Sequence, residues 1–355
     1  MSTDAPIAAN PAPAQVPDMR GRICFVIGSP RSGSTLLMRI LNATSQIFSR
    51  PEPHLFPALA HLGFWNTVDA APYDQLQAQN GTRDFVADLP GGEADYFDAC
   101  RAYMDVLYGR MLSTAGDEEQ YFLDKTPANA LVLPFMERVY PDAKYIVLTR
   151  HPAAIFASYA NSFFDGDFES AVKFNPIVSR YVPAMANFLR TTTVPHIHVR
   201  YEDLVSNPEA TLERISEFLD IPFEPDAVNY KQKEVAGKGL GDPVGVAQHN
   251  RPVTASIHKW AAEFAADTDK FEVVAQQLAQ VPDEDIQTFG YDPKSLWAPM
   301  KEADPSAWVP AKKKMDRFQR QRRILRWLRR DIHNRWHGPW IKKIRKVCDV
   351  LLRGH

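Results

Sequence analysis

The feature that most constrains the fold is an apolar run followed by a glycine-containing loop and a second apolar run. Residues 23–27 read ICFVI, residues 28–35 read GSPRSGST, and the next six residues read LLMRIL. The first run predicts a buried strand and the second predicts the apolar face of a helix. A strand, a loop and a helix in this order are typical of α/β proteins with a parallel sheet.

Similar runs recur along the chain and predict an α/β, P-loop-like three-layer fold, with a central parallel sheet flanked by helices. The best-marked helix has Asn207 as its predicted cap, Pro208 in its first turn and Pro222 beyond its end. The further predicted strands are 121–123, 145–148 and 196–199, and the predicted helices are 34–42, 96–112, 130–140, 153–163 and 208–219.

Composition predicts one large globular core with appendages. The chain has 355 residues, of which 45% are hydrophobic and 24% charged, and it contains no apolar run of about 18 residues that would predict a membrane-spanning helix. We expect a disordered Ala/Pro-rich arm at 1–20, a main domain at 21–300 and a basic helical tail at 310–355. The three cysteines have neither metal-ligand nor disulfide spacing, which favours a reducing, cytoplasmic setting.

The loop at 28–35 predicts an anion site, because successive backbone N–H groups and a helix N-terminus surround phosphate in such loops. It departs from the nucleotide-triphosphate pattern, since Ser34 stands where the lysine is expected. The strand KYIVLTR ends in Arg150, where a magnesium-binding acid would be needed for a triphosphate. Ser158 follows two helical turns later. The sequence therefore predicts two anion sites and no metal.

Two anion sites without a metal match the requirements of 3'-phosphoadenosine-5'-phosphosulfate (PAPS). The segments GSPRSGSTLLMRIL and YIVLTRHPAAIFASY resemble the 5'-phosphosulfate and 3'-phosphate motifs of the PAPS-dependent sulfotransferases. RPEPHLF, FLDKTP, VRYEDLVSNPEATLERISEFL, SIHKW and FGYDP are similar to segments of the tyrosylprotein sulfotransferases and their bacterial relatives. The resemblance runs from about residue 22 to residue 293.

The resemblance implies a role for individual residues. It implies Glu52 as the catalytic base, and Lys125 and Arg31 as the groups that stabilise the leaving phosphate. His54, two residues after Glu52, is the alternative base or a polar wall of the pocket. A solvated loop carboxylate and an exposed lysine are the alternative interpretations of Glu52 and Lys125. The residues that the resemblance assigns to the nucleotide are Arg31, Ser32, Gly33, Ser34, Thr35, Arg150, Ser158, Tyr201 and Lys259.

The tail at 310–355 carries sixteen Lys or Arg against three Asp, a net charge of +13, whereas the rest of the chain carries −15. Its apolar residues, including Trp336 and Trp340, recur at helical spacing between basic ones, which is typical of helices that lie on an anionic membrane. Packing on the acidic body or in a homodimer, and binding of nucleic acid, are the alternatives. No nucleic-acid readout motif accompanies the charge.

The sequence thus predicts a cytoplasmic, PAPS-dependent sulfotransferase that acts on an acceptor hydroxyl. A saccharide or lipid-linked acceptor at the inner face of a membrane would fit the basic tail, and a soluble alcohol or a tyrosine side chain is also compatible. Two other classes stay open. An ATP-dependent small-molecule kinase would explain the glycine loop but not Arg150. A non-catalytic nucleotide-binding protein, recruited by its basic tail, would explain both.

Overall fold

A parallel sheet of five strands organises the part of the chain that the structure describes. The computed structural model describes residues 18–62, 64–65, 75–231, 249–308, 336, 338–340 and 343–344. The strand order is β2-β3-β1-β4-β5, and every neighbouring pair is parallel. The strands are β1 (Ile23–Ile27), β2 (Ile47–Ser49), β3 (Tyr121–Asp124), β4 (Lys144–Thr149) and β5 (His196–Arg200).

Helices connect the strands and cover both faces of the sheet. In chain order they are α1 (Ser34–Ala43), α2 (Leu55–Ala60), α3 (Gln75–Ala87), α4 (Glu93–Leu112), α5 (Leu133–Val139), α6 (Pro152–Phe163), α7 (Phe168–Phe174), α8 (Ile177–Thr191), α9 (Tyr201–Ser206), α10 (Pro208–Leu219), α11 (Lys259–Ala266), α12 (Thr268–Leu278), α13 (Asp283–Thr288) and α14 (Ala298–Glu302). Short 3₁₀ turns lie at Pro127–Leu131, Pro225–Val228, Thr254–Ser256 and Pro305–Ala307.

Strand β1 shows why the fold has three layers. Its side chains alternate between two hydrophobic clusters: Phe25 and Ile27 belong to the cluster that includes α4, α5, α6 and α8, whereas Cys24 and Val26 belong to the one that includes α1 and α10. All five residues are buried. A parallel strand covered on both faces is therefore apolar throughout, as its sequence predicted.

The predicted parallel sheet is confirmed, and two local predictions are only partly correct. The predicted helix 130–140 is a 3₁₀ turn followed by α5, because Pro134 near the start of α5 has no N–H to continue the preceding turn. Asn207 stands at the start of α10, but its side chain makes no capping bond. The same residue also ends α9, where its N–H donates to the carbonyl of Asp203.

The chain divides into two compact units, Met1–Ala303 and Asp304–His355. Within the described ranges, none of the helices combines the length and apolar content that a bilayer-spanning segment requires. Two predictions lie largely outside the described residues: the arm at 1–20, except for its last three residues, and most of the basic tail at 310–355. The same holds for the segment at 235–254, whose glycine and proline content predicts a long binding loop, because the described residues resume only at 249.

Candidate active site

The glycine loop between β1 and α1 adopts the geometry of an anion site. Arg31 and Gly33 both have positive φ, of 71° and 96°. A side chain at Gly33 would place its Cβ 2.4 Å from the ring of Tyr201, so only glycine fits this position. The chain then enters α1 at Ser34. Backbone N–H groups of such a turn and the helix N-terminus together attract a negatively charged group.

Arg150 lies directly after β4 and fixes the loop from one side. Its guanidinium donates to the carbonyl oxygens of Arg31, at 3.0 Å, and Ser256, at 2.9 Å. It also lies 4.2 Å above the ring of Tyr201, whose hydroxyl is 2.6 Å from that of Ser256. Burial lowers the pKa of Arg150, but a guanidinium stays charged at neutral pH. The site therefore keeps a buried cation.

Ser158 on α6 joins the same arrangement. Its hydroxyl accepts a hydrogen bond from Nε of Arg31 at 3.1 Å. Because Arg150 binds the carbonyl of Arg31, the strand end, the helix and the glycine loop are connected through one residue. The sequence predicted that Arg150 and Ser158 would both face an anion near this loop, and the structure brings them together at its rim.

A cavity of about 380 Å³ opens between these elements. Ser32 does not line it, because its hydroxyl is buried and its N–H donates to the carbonyl of Ser29. The other residues predicted to bind nucleotide do line it: Arg31, Gly33, Ser34, Thr35, Arg150, Ser158, Tyr201 and Lys259.

The cavity wall is predominantly cationic. Lys259 joins the two arginines of the loop and β4, and Arg251 also lines the cavity, where it forms an ion pair with Glu209. The acid Glu263 also lines the cavity, but its carboxylate accepts from Asn161 at 2.6 Å and from Lys270 at 2.8 Å. Its negative charge is therefore compensated, and the field in the cavity favours an anion.

Sequence reasoning missed several lining residues, namely Asn161 on α6 and, from segments further along the chain, Tyr230, His249, Arg251, Ser256 and Glu263. Only the glycine- and proline-rich composition before Lys259 signalled a binding loop there. Among the described residues, no group of three or more His, Cys, Asp or Glu could hold a metal ion.

Glu52 and Lys125 form an ion pair beside the loop. The carboxylate oxygen Oε1 of Glu52 lies 2.5 Å from Nζ of Lys125, and the same ammonium donates to the hydroxyl of Thr35 at 3.3 Å. His54 Nε2 is 3.4 Å from the other carboxylate oxygen. The lysine is almost fully buried, with 1% of its side chain exposed. The structure thus brings three of the predicted catalytic residues together.

Strand order explains this convergence. Glu52 follows β2, Lys125 follows β3 and Thr35 follows β1, and these three strands are neighbours. The carboxyl ends of parallel strands meet at one edge of a sheet, where ligands bind in open α/β folds. A carboxylate, an ammonium and an anion-binding loop there can take up a proton and stabilise a leaving anion.

His151 lies next to Arg150 but packs instead of facing the cavity. Its ring stacks on Trp260 with centroids 4.4 Å apart, and its Nε2 lies 3.0 Å from the carbonyl oxygen of Leu296. Burial lowers its pKa to about 4. A neutral, buried imidazole of this kind has a packing role.

Comparison with known proteins identifies the family of this chain. A family model described as "Sulfotransferase family" matches residues 24–225. "Nodulation protein NoeE" of Sinorhizobium fredii is 34% identical over 63% of this chain and 51% of its own length. "Protein-tyrosine sulfotransferase A" of Caenorhabditis elegans is 24% identical over 76% of this chain and 67% of its own. The chain therefore spans about half the length of the nodulation protein.

Among solved structures, the sulfotransferase domain from the Synechococcus PCC 7002 olefin synthase is 25% identical. The match covers 76% of this chain and 99% of that domain, with a TM-score of 0.47. The family model covers more than half of the chain, including the glycine loop, Glu52, Lys125 and Arg150. This chain belongs to the sulfotransferase family.

Proposed function

We propose that the protein transfers the sulfuryl group of PAPS to an acceptor hydroxyl. The observation that carries the proposal is that Arg150, Ser158 and the glycine loop border one cavity, while Lys125 contacts both Glu52 and Thr35, and Thr35 lines that cavity. A cavity of about 380 Å³ is within the range that small ligands occupy. Its fixed cations and bare backbone amides suit a nucleotide with phosphate groups at both ends of its ribose.

In this proposal each side of the cavity holds one end of the donor. The backbone amides of the loop, with Ser34 and Thr35, bind the 5'-phosphosulfate, and Arg150 and Ser158 bind the 3'-phosphate. Lys259 and Tyr201 support the nucleotide from α11 and α9. PAPS supplies the sulfuryl group when bound, and the product nucleotide is 3'-phosphoadenosine-5'-phosphate (PAP).

Glu52 is the proposed base. A hydroxyl is a weak nucleophile until its proton is taken, and a positioned base contributes about 10²- to 10⁴-fold. The acceptor oxygen bonds to sulfur, its proton passes to Glu52, and the electrons of the broken sulfur–oxygen bond stay on the departing phosphate. Lys125 and Arg31 supply positive charge to that phosphate. His54 is the alternative base, since its ring nitrogen lies beside Glu52.

Two measurements test the donor and the reaction. Calorimetry with PAP, and with ATP plus Mg²⁺, distinguishes this proposal from the kinase alternative, which membership of the sulfotransferase family already disfavours. Transfer of labelled sulfate from PAPS to a panel of saccharide, lipid and peptide acceptors distinguishes it from non-catalytic binding. Tight binding of ATP with Mg²⁺ and none of PAP would overturn the proposal.

A second proposal concerns where the acceptor is found. We propose that the tail at 310–355 binds an anionic membrane surface, so that the acceptor is linked to the membrane, as a glycolipid or a lipid-linked saccharide would be. Trp336, Trp340 and Ile344 are 93%, 69% and 59% exposed and recur every four residues. Exposed Trp and Ile beside many basic residues fit a lipid interface. A peripheral position at the inner face of a membrane would follow.

Flotation with vesicles tests the membrane proposal in the full-length chain. Binding to vesicles that contain phosphatidylglycerol, with loss of binding in the double variant Trp336→Ser and Trp340→Ser, is the expected result. Vesicles of phosphatidylcholine alone are the control for charge. Equal flotation of the double variant and the parent protein would contradict this proposal, as would the absence of flotation with both kinds of vesicle.

A further inference from the structure

A buried chain of hydrogen bonds lies behind the Glu52–Lys125 pair. The hydroxyl of Tyr108, on α4, donates to one oxygen of the Asp124 carboxylate at 2.5 Å. The hydroxyl of Thr126 donates to the other oxygen at 2.9 Å. The backbone N–H of His54 in turn donates to the oxygen of Thr126, with a separation of 3.3 Å. The chain therefore runs from α4 to the segment that carries the proposed base.

The direction of these bonds follows from the chemistry of the groups. An ionised carboxylate only accepts hydrogen bonds, so Thr126 must give its single proton to Asp124. Its lone pairs then face the amide of His54, which can only donate. Since Thr126 has one hydroxyl proton and it is committed to Asp124, the threonine is oriented as an acceptor for residue 54.

Burial of the charged Asp124 carboxylate at the end of β3 costs free energy of folding, which suggests that the residue has a function. Asp124 is 0% exposed, Thr126 is 0% exposed and Tyr108 is 1% exposed. Burial raises the pKa of Asp124, which measures the cost of keeping its charge away from water. An apolar residue at the end of β3 would avoid that cost. The ammonium of the adjacent Lys125 binds Glu52 and Thr35, and not Asp124.

The segment that donates the last of these hydrogen bonds, through the N–H of His54, needs external support. His54 has a φ of 55°, in the left-handed region that a residue other than glycine seldom adopts. It stands between Pro53 and the start of the six-residue helix α2. Strained backbone of this kind persists when surrounding contacts determine it. The hydrogen bond from the N–H of His54 to the hydroxyl oxygen of Thr126 is such a contact, and it lies two residues from Glu52.

We propose that Asp124 and Thr126 are positioning residues that hold the 52–54 segment so that the carboxylate of Glu52 meets both Lys125 and the acceptor hydroxyl. This inference rests on the proposed function of Glu52 as the base. Neither residue lines the nucleotide cavity. Their loss therefore changes turnover without changing donor affinity.

The test compares Thr126→Val with Thr126→Ser. Valine keeps the shape of threonine and removes the hydroxyl, whereas serine keeps the hydroxyl and loses a methyl group. We expect Thr126→Val to lower kcat by about 10- to 100-fold, because displacement of a reacting group by about 1 Å has effects of that size. Affinity for PAP stays unchanged, and Thr126→Ser recovers most of the turnover.

Thr44→Val is the matched control for loss of a buried hydroxyl. Thr44 is also 0% exposed, and its hydroxyl donates to the carbonyl of Leu41 at 2.7 Å, at the far end of α1 from the loop. If lower stability alone reduced turnover, the two valine variants would lose activity in proportion to the decrease in their melting temperatures relative to the parent protein. Tyr108→Phe, which removes one partner of Asp124 and leaves Thr126 intact, is expected to lower kcat less than Thr126→Val.

Amide hydrogen exchange provides a readout that needs no activity. The peptide that contains His54 should exchange faster in Thr126→Val than in Thr126→Ser or the parent protein. Unchanged exchange at this peptide would overturn the proposal, and so would equal loss of kcat in the serine and valine variants. A parent protein that neither binds PAP nor transfers sulfate would refute the proposed function, while the exchange measurement still decides whether Thr126 holds the segment.

Discussion

Nζ of Lys125 lies 2.5 Å from Oε1 of Glu52, so the proposed base and the proposed electrophilic cation are in direct contact. The same ammonium reaches Thr35 of the glycine loop. One ammonium thus contacts both the carboxylate and the anion-binding loop. In the proposed mechanism, removal of the acceptor proton and stabilisation of charge on the leaving group therefore depend on the same lysine. Variants of either residue should therefore affect turnover more than donor binding.

Replacement of Glu52 by Gln is expected to lower kcat by about 10²- to 10⁴-fold, since it removes the base and keeps the size of the side chain. The dissociation constant of PAP, measured by calorimetry, should change little, because Glu52 does not line the cavity. Glu217→Gln, at an exposed position on α10, is the control for loss of one charge. Full turnover in Glu52→Gln would transfer the role to His54, to be checked with His54→Asn.

Replacement of Lys125 by Met is expected to lower kcat by about 10²- to 10³-fold, the usual effect of removing one group that stabilises developing negative charge. Lys125→Arg should not restore full rate, because the planar guanidinium cannot take the place of a compact ammonium that is 1% exposed. Initial rates with saturating PAPS test this. Equal activity of the Met variant and the parent protein would remove Lys125 from the mechanism.

The assignment of the 3'-phosphate to Ser158 predicts a selective effect on ligands. Ser158→Ala should weaken PAP binding by about tenfold or more, since a hydrogen bond to a charged group contributes about 1.5–3 kcal/mol. Adenosine 5'-phosphate, which lacks the 3'-phosphate, should bind equally well before and after the substitution. Calorimetric titration of both nucleotides provides the comparison. An equal loss for both would show that Ser158 acts only through Arg31.

Gly33→Ala is expected to abolish PAP binding and lower the melting temperature. The added Cβ would meet the Tyr201 ring at 2.4 Å, and φ at this position is 96°. The control is Gly81→Ala on α3, where a Cβ meets nothing within 4 Å. This change should stabilise the protein by about 0.5–1 kcal/mol, the usual helix preference of Ala over Gly. Thermal melting with and without PAP measures both effects.

The burial of His151 is expected to lower the free energy of unfolding in acid. Its pKa is lowered by burial to about 4, whereas an unfolded histidine titrates near pH 6.5. As the pH falls, His151 therefore binds a proton in the unfolded state before it does so in the folded state. The folded state, in which the imidazole is buried and neutral, is thus most favoured above about pH 6.5. That contribution, up to about 3 kcal/mol, is lost between about pH 6.5 and pH 4.

Urea denaturation at pH 7.5 and pH 5 measures the effect of His151. The variant His151→Phe keeps a ring to stack on Trp260 and should lose less stability between the two pH values than the parent protein. His198 contributes to the same loss, because burial lowers its pKa too. The difference between parent and variant isolates His151, and an equal pH dependence in both would contradict the assignment.

The half of the candidate site that is proposed to bind the donor could largely be located from the sequence, because it is built from continuous segments. The loop at 28–35 and the pair Arg150 and Ser158 each lie in one strand–helix unit, where periodicity and spacing fix the geometry. Lys125 follows a strand in the same way. Glu52 was found through resemblance alone, since β2 before it has only three residues and escaped prediction.

The remaining parts depend on tertiary contacts that no local pattern carries. Ser256 and Arg251 reach the cavity from a loop about a hundred residues after Arg150, and their place is set by how α11 packs. The Asp124–Thr126 bonds were invisible for another reason. Asp124, Lys125 and Thr126 are neighbours in the sequence but contact different partners. The bond between Asp124 and Tyr108 forms only because α4 packs against β3, and no local pattern in the sequence indicates that packing.

The strand order also separates two kinds of evolutionary freedom. The residues proposed to bind the nucleotide follow β1, β4 or β5, except Lys259 on α11, whereas the proposed base follows β2, the strand at one edge of the sheet. Under the proposed function, mutations near β2 would alter which molecule is sulfated and leave the donor site intact. Related enzymes could thus acquire new acceptors through changes near β2, while the rest of the sheet and its loops stay the same.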